Sequence, residues 1–315
     1  MAGGQLKRNI KAVLEETGFG SKSFSDIDRL INKDGTFNVQ KKGAGLKQFS
    51  IYYWLINIRW SLLMICGLVA YFIVNALFAL GYYIAGPDQL SGGMEQATNW
   101  DFFLHCFYFS TQTLTTVGFG FISPVKGLSS MIAAFEAMIG LLGFAFATSI
   151  IYGRFSKAKS KILFSDSMVV SPYRGIKGLK LRIANPRKSQ IIELKALVIY
   201  SYLANDDGVM KRKYTSLELE IDFINMFPLP WTIVHPITQN SPVFEKTKAD
   251  LTKEQSEFIV ILKGYDDTFN QYVHQVRSYR ANEVIYDCDF EPMFDVAFEK
   301  STTVQLDKIS HTRQV

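Results

Sequence analysis

The sequence predicts an α+β membrane protein in which two membrane-spanning helices are followed by a β-sandwich domain. Hydrophobic residues make up 48% of the 315 residues, and they are concentrated in the first half of the chain. Two apolar runs there are long enough to cross a bilayer, and from residue 165 onward apolar and polar residues alternate with a period of two. The chain is therefore long enough for a membrane region and one separate folded domain.

The residues before the first apolar run divide into two segments. Residues 1–45 are polar and interrupted by glycines, which predicts an extended and partly mobile arm. Residues 46–59 carry aromatic side chains between Lys47 and Arg59. Two interpretations of this second segment stay open: an interfacial helix in the headgroup plane, or the first turns of the following helix.

Two segments are predicted to cross the membrane. Residues 60–85 contain no charge and one polar candidate for burial, Asn75, and residues 127–153 contain a single acid, Glu136. At about 1.5 Å per residue, each segment is longer than the ~30 Å hydrocarbon core. The connection between them holds one basic residue, whereas the outer flanks are rich in lysine and arginine, so both termini are expected in the cytoplasm.

The second half of the chain is predicted to form the β-sandwich. A basic linker over residues 154–164 leads into short alternating runs and turn sequences over residues 165–315. A strand followed by GxGxxG and a helix does not occur, which argues against a Rossmann domain. The alternating runs are Leu179, Leu181 and Ile183, then Leu217, Leu219 and Ile221, then Val284, Tyr286, Cys288 and Phe290, with turns at 205–208, 228–230 and 266–267.

The charge balance favours a membrane partner. Lysine and arginine number 34 against 29 acids, and the pI is about 8.9. Because the basic residues cluster beside apolar segments, they fit anionic lipid better than nucleic acid, and no nucleic-acid partner is expected.

The connection over residues 86–126 holds the segment with the clearest chemistry. Residues 100–114 are apolar and aromatic but too short to cross a bilayer, which predicts a re-entrant helix capped by Asn99 or Asp101. The sequence Thr-Val-Gly-Phe-Gly follows at once, over residues 116–120. Non-helical backbone at membrane depth is tolerated where it lines a water-filled path.

These five residue types suit cation coordination by backbone oxygens. Gly118 and Gly120 can adopt positive φ, which lets successive carbonyls face one way, and the Thr116 hydroxyl adds an oxygen. Val117 and Phe119 are expected to point outward and pack against the re-entrant helix. The segment therefore predicts a selectivity filter in which residues 116–119 hold K⁺. No organic cofactor is expected. One chain supplies a quarter of each oxygen ring, so a homotetramer is expected.

Short motifs in a specific order and spacing extend over nearly the whole chain. They are Asp28-Arg29-Leu30-Ile31-Asn32, Ile58-Arg59-Trp60, Thr111-Gln112-Thr113 before the filter, Asn185-Pro186-Arg187-Lys188-Ser189, Ser241-Pro242-Val243-Phe244 and Ser278-Tyr279-Arg280-Ala281-Asn282-Glu283. With these motifs the chain resembles the inward-rectifier (Kir) potassium channels, and most closely their prokaryotic, KirBac-like branch.

The resemblance implies a slide helix over residues 46–59, a pore helix before the filter, and an immunoglobulin-like cytoplasmic domain over residues 165–315. It also implies a homotetramer, which we expect in a bacterial inner membrane. Eukaryotic members carry a Glu and an Arg bridged behind the filter, and a pair of extracellular cysteines. Ser110 and Ile122 stand at the places of the first pair, and Cys106 is alone between the spans, so both braces are expected to be missing.

The second span contains candidates for the lower pore. Gly140, Phe144, Thr148 and Tyr152 recur every four residues, with a bend expected at Gly140 and the gate at Tyr152, as the resemblance implies. The alternative is that these residues pack against the first span. Glu136 likewise keeps two interpretations, a hydrogen bond near the pore helix or direct contact with ions.

Strong rectification needs pore acids that attract polyamine or Mg²⁺ blockers. By the resemblance, the cavity acid falls at Phe144, one cytoplasmic acid is present as Glu193, and the other falls at Lys263. Weak rectification is therefore expected.

Basic residues near the cytoplasmic ends of the spans form the candidate site for anionic, phosphoinositide-like lipids. Ordinary flanking charge is the alternative explanation for part of this set. The candidates are Arg59, Arg154, Lys157, Lys159, Lys161 and Lys188.

Two other classes of function are alternatives to the channel. A membrane-anchored receptor would not need Gly118, whereas a channel would. An enzyme in the second half has little support, because the four histidines are scattered and neither GxSxG, a P-loop nor HExxH occurs.

Overall fold

The computed structural model describes most of the chain. The described residues are 29, 31–33, 35, 36, 38, 50–92, 98–156, 161–206, 208–295 and 303–315. They divide into two compact units, a membrane unit within residues 43–157 and a β-rich unit that combines residues 1–42 with 158–315.

The membrane unit begins with a short helix that is separate from the first long helix. Helix α1 runs over Ile51–Asn57, and the Ser50 hydroxyl accepts a hydrogen bond from the Tyr53 N–H at 3.3 Å. Ile58 and Arg59 are extended, with ψ of 163° and 148°, and helix α2 then runs over Trp60–Ala85. The segment is therefore a helix of its own, and the interpretation as the first turns of α2 is wrong.

Three further helical segments complete this unit. A single 3₁₀ turn spans Pro87–Gln89, helix α3 spans Asn99–Leu114 and helix α4 spans Gly127–Phe155. Helices α2 and α4, with 26 and 29 residues, are long and apolar enough to cross a membrane. Their large apolar side chains are mostly exposed in the single chain, so they need lipid or other subunits to cover them.

The β-rich unit is a sandwich of two five-stranded sheets. The first has the order β1-β3-β2-β10 with β7 on β3, and the second has the order β5-β4-β8-β9 with β6 on β4. A single core of buried side chains from both sheets lies between them. The strands are β1 Leu163–Phe164, β2 Met168–Tyr173, β3 Ile176–Ala184, β4 Ile191–Asp206, β5 Val209–Leu217, β6 Phe223–Met226, β7 Trp231–Ile237, β8 Glu257–Asp266, β9 Gln271–Arg280 and β10 Val284–Tyr286, with helix α5 Lys248–Lys253 before β8.

Four short strands form two ribbons beside this sandwich. Strands β11 (Cys288–Phe290) and β14 (Thr312–Gln314) pair antiparallel, as do β12 (Phe294–Asp295) and β13 (Thr303–Val304). The run predicted over residues 284–290 is thus two strands in different sheets, because Asp287 adopts a φ of +56° between them. The predicted run over 217–221 is also wrong, since β5 ends at Leu217.

The predicted turn over residues 205–208 and the predicted strand over residues 179–183, which lies within β3, are both present in the structure. Gly208 adopts a φ of +83° in the β4–β5 turn and donates its N–H to the Asn205 side chain at 2.9 Å. In β3, Lys180 and Arg182 are buried as well as the apolar residues. Lys180 pairs with the Asp289 carboxylate at 2.9 Å, and Arg182 donates to the backbone carbonyl of Glu291 at 2.7 Å, so each buried cation has a hydrogen-bond acceptor in or just after β11.

The described part of the N-terminal arm is packed on the β-rich unit rather than free. Ile31 is fully buried, and the Ser278 hydroxyl donates to its carbonyl at 2.6 Å. Arg29 donates to the Ser278 carbonyl at 2.5 Å and pairs with Glu283 at 3.3 Å. Apart from residues 29, 31–33, 35, 36 and 38, residues 1–45 lie outside the described residues.

Candidate functional site

Helix α3 begins with a capping box just before the predicted position. The Thr98 hydroxyl accepts the Asp101 N–H at 3.2 Å, and the Asp101 carboxylate accepts the Thr98 N–H at 3.1 Å. The cap is therefore Thr98, and the prediction of Asn99 or Asp101 as the cap is wrong. Asp101 instead closes the box from the third helical position.

The filter segment leaves the end of α3 in an unusual backbone conformation. Thr116, Gly118 and Gly120 have φ of +60°, +54° and +82°. A Cβ on Gly118 or Gly120 would meet no heavy atom within 4 Å, so these positions favour glycine for conformation and not for space. The left-handed Thr116 was missed by the sequence analysis, and it is the strained residue of the segment.

Gln112, two residues before the end of α3, holds three successive filter N–H groups. Its carbonyl accepts from Val117 at 2.9 Å and from Gly118 at 3.2 Å. Its side-chain Oε1 accepts from the Phe119 N–H at 3.1 Å. Because N–H and C=O point in opposite directions across a trans peptide, the carbonyls of Thr116, Val117 and Gly118 face away from α3. Cis bonds do not occur among the described peptides.

The filter side chains are largely uncovered in the single chain. Val117 is 55% exposed and Phe119 is 84% exposed in the single chain, so neither packs firmly against its own α3. Gln112 makes the contacts that hold the segment. This role of Gln112 was not predicted from the sequence, although an amide in an apolar helix next to a glycine-rich loop is a signal that could have indicated it.

The loop after the filter is tied to the loop before α3 through Ser91. The Ser91 N–H donates to the Ser123 carbonyl and the Ser123 N–H donates to the Ser91 hydroxyl, both at 2.8 Å. The two hydroxyl oxygens are also 2.8 Å apart. His105 Nε2 lies 3.1 Å from the Ser91 carbonyl, to which it donates, and Lys126 pairs with Asp88 nearby. The loops lack a cysteine pair, as expected, yet a serine pair connects them.

Glu136 lies in a buried polar cluster between α2, α3 and α4. Its carboxyl group is hydrogen-bonded to Ser110 and, at 2.7 Å, to the Tyr82 hydroxyl. Ser110 also donates to Asn75 Oδ1 at 3.1 Å. Glu136 is 0% exposed, which supports the hydrogen-bonding interpretation over direct contact with ions. Ser110 thus has a carboxyl partner on α4, while Ile122 supplies no charge.

The predicted pore-lining residues of α4 behave in two ways. Phe144 and Tyr152 are 74% and 72% exposed and Thr148 is exposed too, so none of the three is buried against α2 of the same chain. Gly140 differs, because a Cβ there would lie 2.1 Å from the Leu114 carbonyl of α3. The helix continues without a break through Gly140, and the close approach to α3 gives one reason for a glycine at this position.

The lipid candidates fall in both units. Arg154 donates to the Leu55 and Ile58 carbonyls at 2.8 and 2.5 Å and stacks 4.5 Å from the Trp60 ring, which satisfies the carbonyls at the end of α1. Arg59 is exposed in the same unit, and Lys161 and Lys188 are exposed in the β-rich unit. Lys157 and Lys159 lie outside the described residues.

Glu193 and Lys263, the two positions in the β-rich unit that are relevant to rectification, share Tyr272 as a neighbour. The Tyr272 hydroxyl lies 3.5 Å from Glu193 Oε2, and Lys263 Nζ lies 5.1 Å from the Tyr272 ring centroid. Glu193 adopts a φ of +51° at an irregularity in the β4–β8 pairing. The acid and the lysine are therefore close enough for the lysine to weaken the negative potential of the acid.

Two long apolar helices, a re-entrant helix with backbone carbonyls turned to one side, and a β-sandwich define a pore-forming membrane protein. The family described as inward rectifier potassium channel C-terminal domain matches residues 162–315, and the family described as ion channel matches residues 60–157. The chain belongs to the inward rectifier potassium channel family, on its prokaryotic side. Both matched families are channel families and not enzyme families.

Three relatives give the extent of the similarity. The inward rectifier potassium channel Kirbac3.1 of Paramagnetospirillum magnetotacticum is 32% identical over 91% of this chain and 96% of its own. The ATP-sensitive inward rectifier potassium channel 12 of Gallus gallus is 25% identical over 89% of this chain and 70% of its own. The human inward rectifier potassium channel 4 is 25% identical over 89% of this chain and 71% of its own.

Proposed function

We propose that four copies of this chain form a channel that passes K⁺ down its electrochemical gradient, with residues 116–120 as the filter. The observation that carries the proposal is the set of three filter N–H groups on Gln112, which turns the carbonyls of Thr116, Val117 and Gly118 to the opposite side. Successive carbonyl oxygens on one side can replace the water around a bare cation.

Exposure in the single chain supports the tetramer. Val117 and Phe119 are uncovered, and the apolar faces of α2 and α4 are largely uncovered as well. Four-fold packing would cover part of this surface and would close the oxygen rings. We place both termini in the cytoplasm and the channel in a bacterial inner membrane, in line with the distribution of basic residues.

The cytoplasmic half of α4 is proposed as the gate. Tyr152 is bulky, exposed and four residues beyond Thr148, which is itself four residues beyond Phe144. A ring of four Tyr152 side chains would narrow the pore, and Phe144 and Thr148 would line the cavity above it. Gly140 belongs to the contact with α3 and not to this lining.

Regulation by anionic, phosphoinositide-like lipid is proposed for the exposed basic residues, with Arg59, Lys161 and Lys188 as the described candidates. Lys157 and Lys159 complete the proposed site. The guanidinium of Arg154 already binds the end of α1, so Arg154 would act by fixing that helix near the lipid.

Rectification is proposed to be weak. Phe144 brings no charge to the cavity, and Lys263 lies on the same tyrosine as Glu193. Polyamine and Mg²⁺ blockers would therefore find a weak negative potential. Outward current that persists in millimolar spermine is the expected result, and steep voltage-dependent block would contradict this part of the proposal.

Flux into proteoliposomes tests the main proposal. The purified chain should take up ⁸⁶Rb⁺ in a Ba²⁺-sensitive manner, with a rate that changes when anionic lipid is varied. Gly118→Ala should abolish uptake because the filter needs a φ of +54° there. Gly143→Ala is the matched control, since a Cβ at that position meets no atom within 4 Å. A lack of Ba²⁺-sensitive uptake with every lipid would contradict the proposal.

A further inference from the structure

We propose that Glu136 is a positioning residue for the filter, which it holds through Ser110 of α3 as a neutral carboxylic acid. This inference rests on the proposed function, because it explains how the filter keeps its geometry. The three partners of the cluster, Tyr82, Asn75 and Ser110, are all 0% exposed, as is Glu136 itself.

The cluster joins the three helices around the filter. Tyr82 and Asn75 are contributed by α2, Ser110 by α3 and Glu136 by α4. Each oxygen of the Glu136 carboxyl group has one partner, Tyr82 for Oε2 and Ser110 for Oε1. The side chain is fully buried among these partners, so its contribution is to fix α3 between α2 and α4.

Counting the hydrogen atoms assigns the protonation of this cluster. Asn75 Nδ2 donates to the Tyr71 carbonyl at 2.7 Å, which orients Asn75 Oδ1 toward Ser110. Ser110 has one hydroxyl hydrogen but faces two acceptors if Glu136 is ionised. If Glu136 carries the proton on Oε1, it donates to Ser110, Ser110 donates to Asn75, and Tyr82 donates to Oε2. This arrangement places one hydrogen in each of the four described contacts, whereas an ionised Glu136 leaves either the Ser110–Asn75 or the Ser110–Glu136 contact without one.

A neutral acid is also what burial favours. An ionised carboxylate without a positive partner is very costly away from water, whereas a hydrogen-bonded carboxylic acid is not. The described neighbours of Glu136 in this cluster are hydroxyl and amide groups and include no cation.

The connection from this cluster to the filter is short. Ser110 is two residues before Gln112, and Gln112 accepts the N–H groups of Val117, Gly118 and Phe119. A shift of α3 at Ser110 would therefore move three filter peptides together. Gly140, one turn after Glu136, lets the backbone of α4 lie close to the Leu114 carbonyl at the end of α3, which is a second contact between the same two helices.

The test compares a neutral isostere with an apolar residue. Glu136→Gln keeps one donor toward Ser110 and one acceptor toward Tyr82, whereas Glu136→Leu keeps neither. The tetramer is heated in detergent at increasing K⁺, with Na⁺ keeping the ionic strength constant, and the K⁺ concentration for half-maximal protection is measured. Flux and K⁺ over Na⁺ selectivity are measured on the same variants in liposomes. Ser110→Ala is included in case Glu136→Leu does not assemble, with Ser130→Ala, an exposed hydroxyl on α4, as its control.

Glu136→Gln and Ser130→Ala should resemble the unchanged chain in K⁺ protection and selectivity. Glu136→Leu and Ser110→Ala should need about tenfold more K⁺ and should lose selectivity, because one or two buried hydrogen bonds are lost. Wild-type K⁺ protection in Glu136→Leu or Ser110→Ala would overturn the positioning role. Loss in Glu136→Gln equal to that in Glu136→Leu would overturn the neutral acid. Absence of flux in the unchanged chain would count against the proposed function. The positioning role of Glu136 would still be tested by the K⁺ protection assay, which does not require flux.

Discussion

The β-rich unit and the membrane unit use apolar residues in opposite ways. The β-rich unit buries large side chains such as Tyr200, Phe258 and Tyr279 between its sheets. The membrane unit leaves most of its aromatic and aliphatic side chains exposed and buries a small set near the filter, among them Tyr82 and Phe109. One chain therefore completes the sandwich, whereas the membrane unit needs lipid and other subunits.

The same contrast divides the membrane unit itself. Near the filter, Glu136 and Gly140 fix α4 to α3, and Gln112 fixes the filter to α3. Toward the C-terminal end of α4, Phe144 and Tyr152 are exposed on the same helix. The filter end is thus organised within one chain, and the proposed gate end depends on its neighbours. The following changes test this division, from the largest expected effect to the smallest.

Gly140→Ala should have the largest effect. The added methyl group would lie 2.1 Å from the Leu114 carbonyl, so α3 or α4 must move. Overpacking of this kind costs up to about 3 kcal/mol per chain, and we expect loss of the assembled tetramer on gel filtration after mild heating. Gly143→Ala, with nothing within 4 Å, should remain assembled. Equal behaviour of the two variants would show that the filter end is not tightly packed.

Removing the serine pair should have the next largest effect. Ser91→Ala deletes the hydroxyl that accepts the Ser123 N–H, which leaves a half-buried donor without its partner. We expect a loss of about 1–2 kcal/mol in thermal stability and faster loss of flux during prolonged K⁺ depletion. Ser130→Ala removes an exposed hydroxyl and should change neither property. The same loss in both variants would contradict a specific role for the pair.

Tyr152→Ala should change flux and leave the filter unaffected. The side chain is 72% exposed in the single chain, so little stability within the chain is lost. We expect ⁸⁶Rb⁺ uptake several times faster, roughly 1 kcal/mol in the gating equilibrium, with unchanged K⁺ over Na⁺ selectivity. Altered selectivity with unchanged uptake would indicate that Tyr152 acts at the filter. That result would contradict the proposed separation of filter and gate along α4.

The smallest effect concerns pH and the β-rich unit. His235 is buried, its Nδ1 donates to the Glu218 carbonyl at 2.6 Å, and its Nε2 accepts from the Ser241 hydroxyl at 2.7 Å. Burial lowers the pKa of His235, although the hydrogen bond to the Glu218 carbonyl opposes this effect. Below about pH 6.5 the unfolded chain therefore binds a proton that the folded chain does not, and stability falls as the pH falls further.

His235→Gln should flatten this pH dependence. The thermal unfolding midpoint of the full chain, followed by the signal of the β-rich unit, is compared between about pH 7.5 and pH 5.5. His311→Gln is the control, because its side chain is 55% exposed. The expected difference is below about 1 kcal/mol at pH 5.5. An unchanged slope in His235→Gln would contradict a neutral buried histidine.

Much of the fold follows from the sequence because it depends on periodic patterns. Uninterrupted apolar runs predicted α2 at the bounds 60–85 and α4 to within two residues of its end, at 155. The turns at 205–208 and 266–267 also follow from local residue types. The break of the 284–290 run was not predictable, because an aspartate with positive φ carries no clear signal in an alternating strand.

The parts of the site that depend on local backbone conformation were predictable from the sequence. The parts that depend on contacts between distant residues were not. The glycines of the filter predicted positive φ correctly, but the left-handed Thr116 and the capping residue Thr98 were missed. The partners of Glu136 come from residues up to 61 positions away, Asn75 through Ser110 being the most distant. Gly140 shows the same limit, because the absence of a side chain does not reveal which neighbour requires it.

The most direct test is a density map of the assembled protein in K⁺ and in Na⁺. We expect four chains around one axis, with the carbonyls of Thr116, Val117 and Gly118 directed at ion density that is present in K⁺ and reduced in Na⁺. Gln112 should still hold the three N–H groups behind these carbonyls in each chain. Carbonyls turned away from the axis in K⁺, or an assembly without four-fold symmetry, would contradict the account.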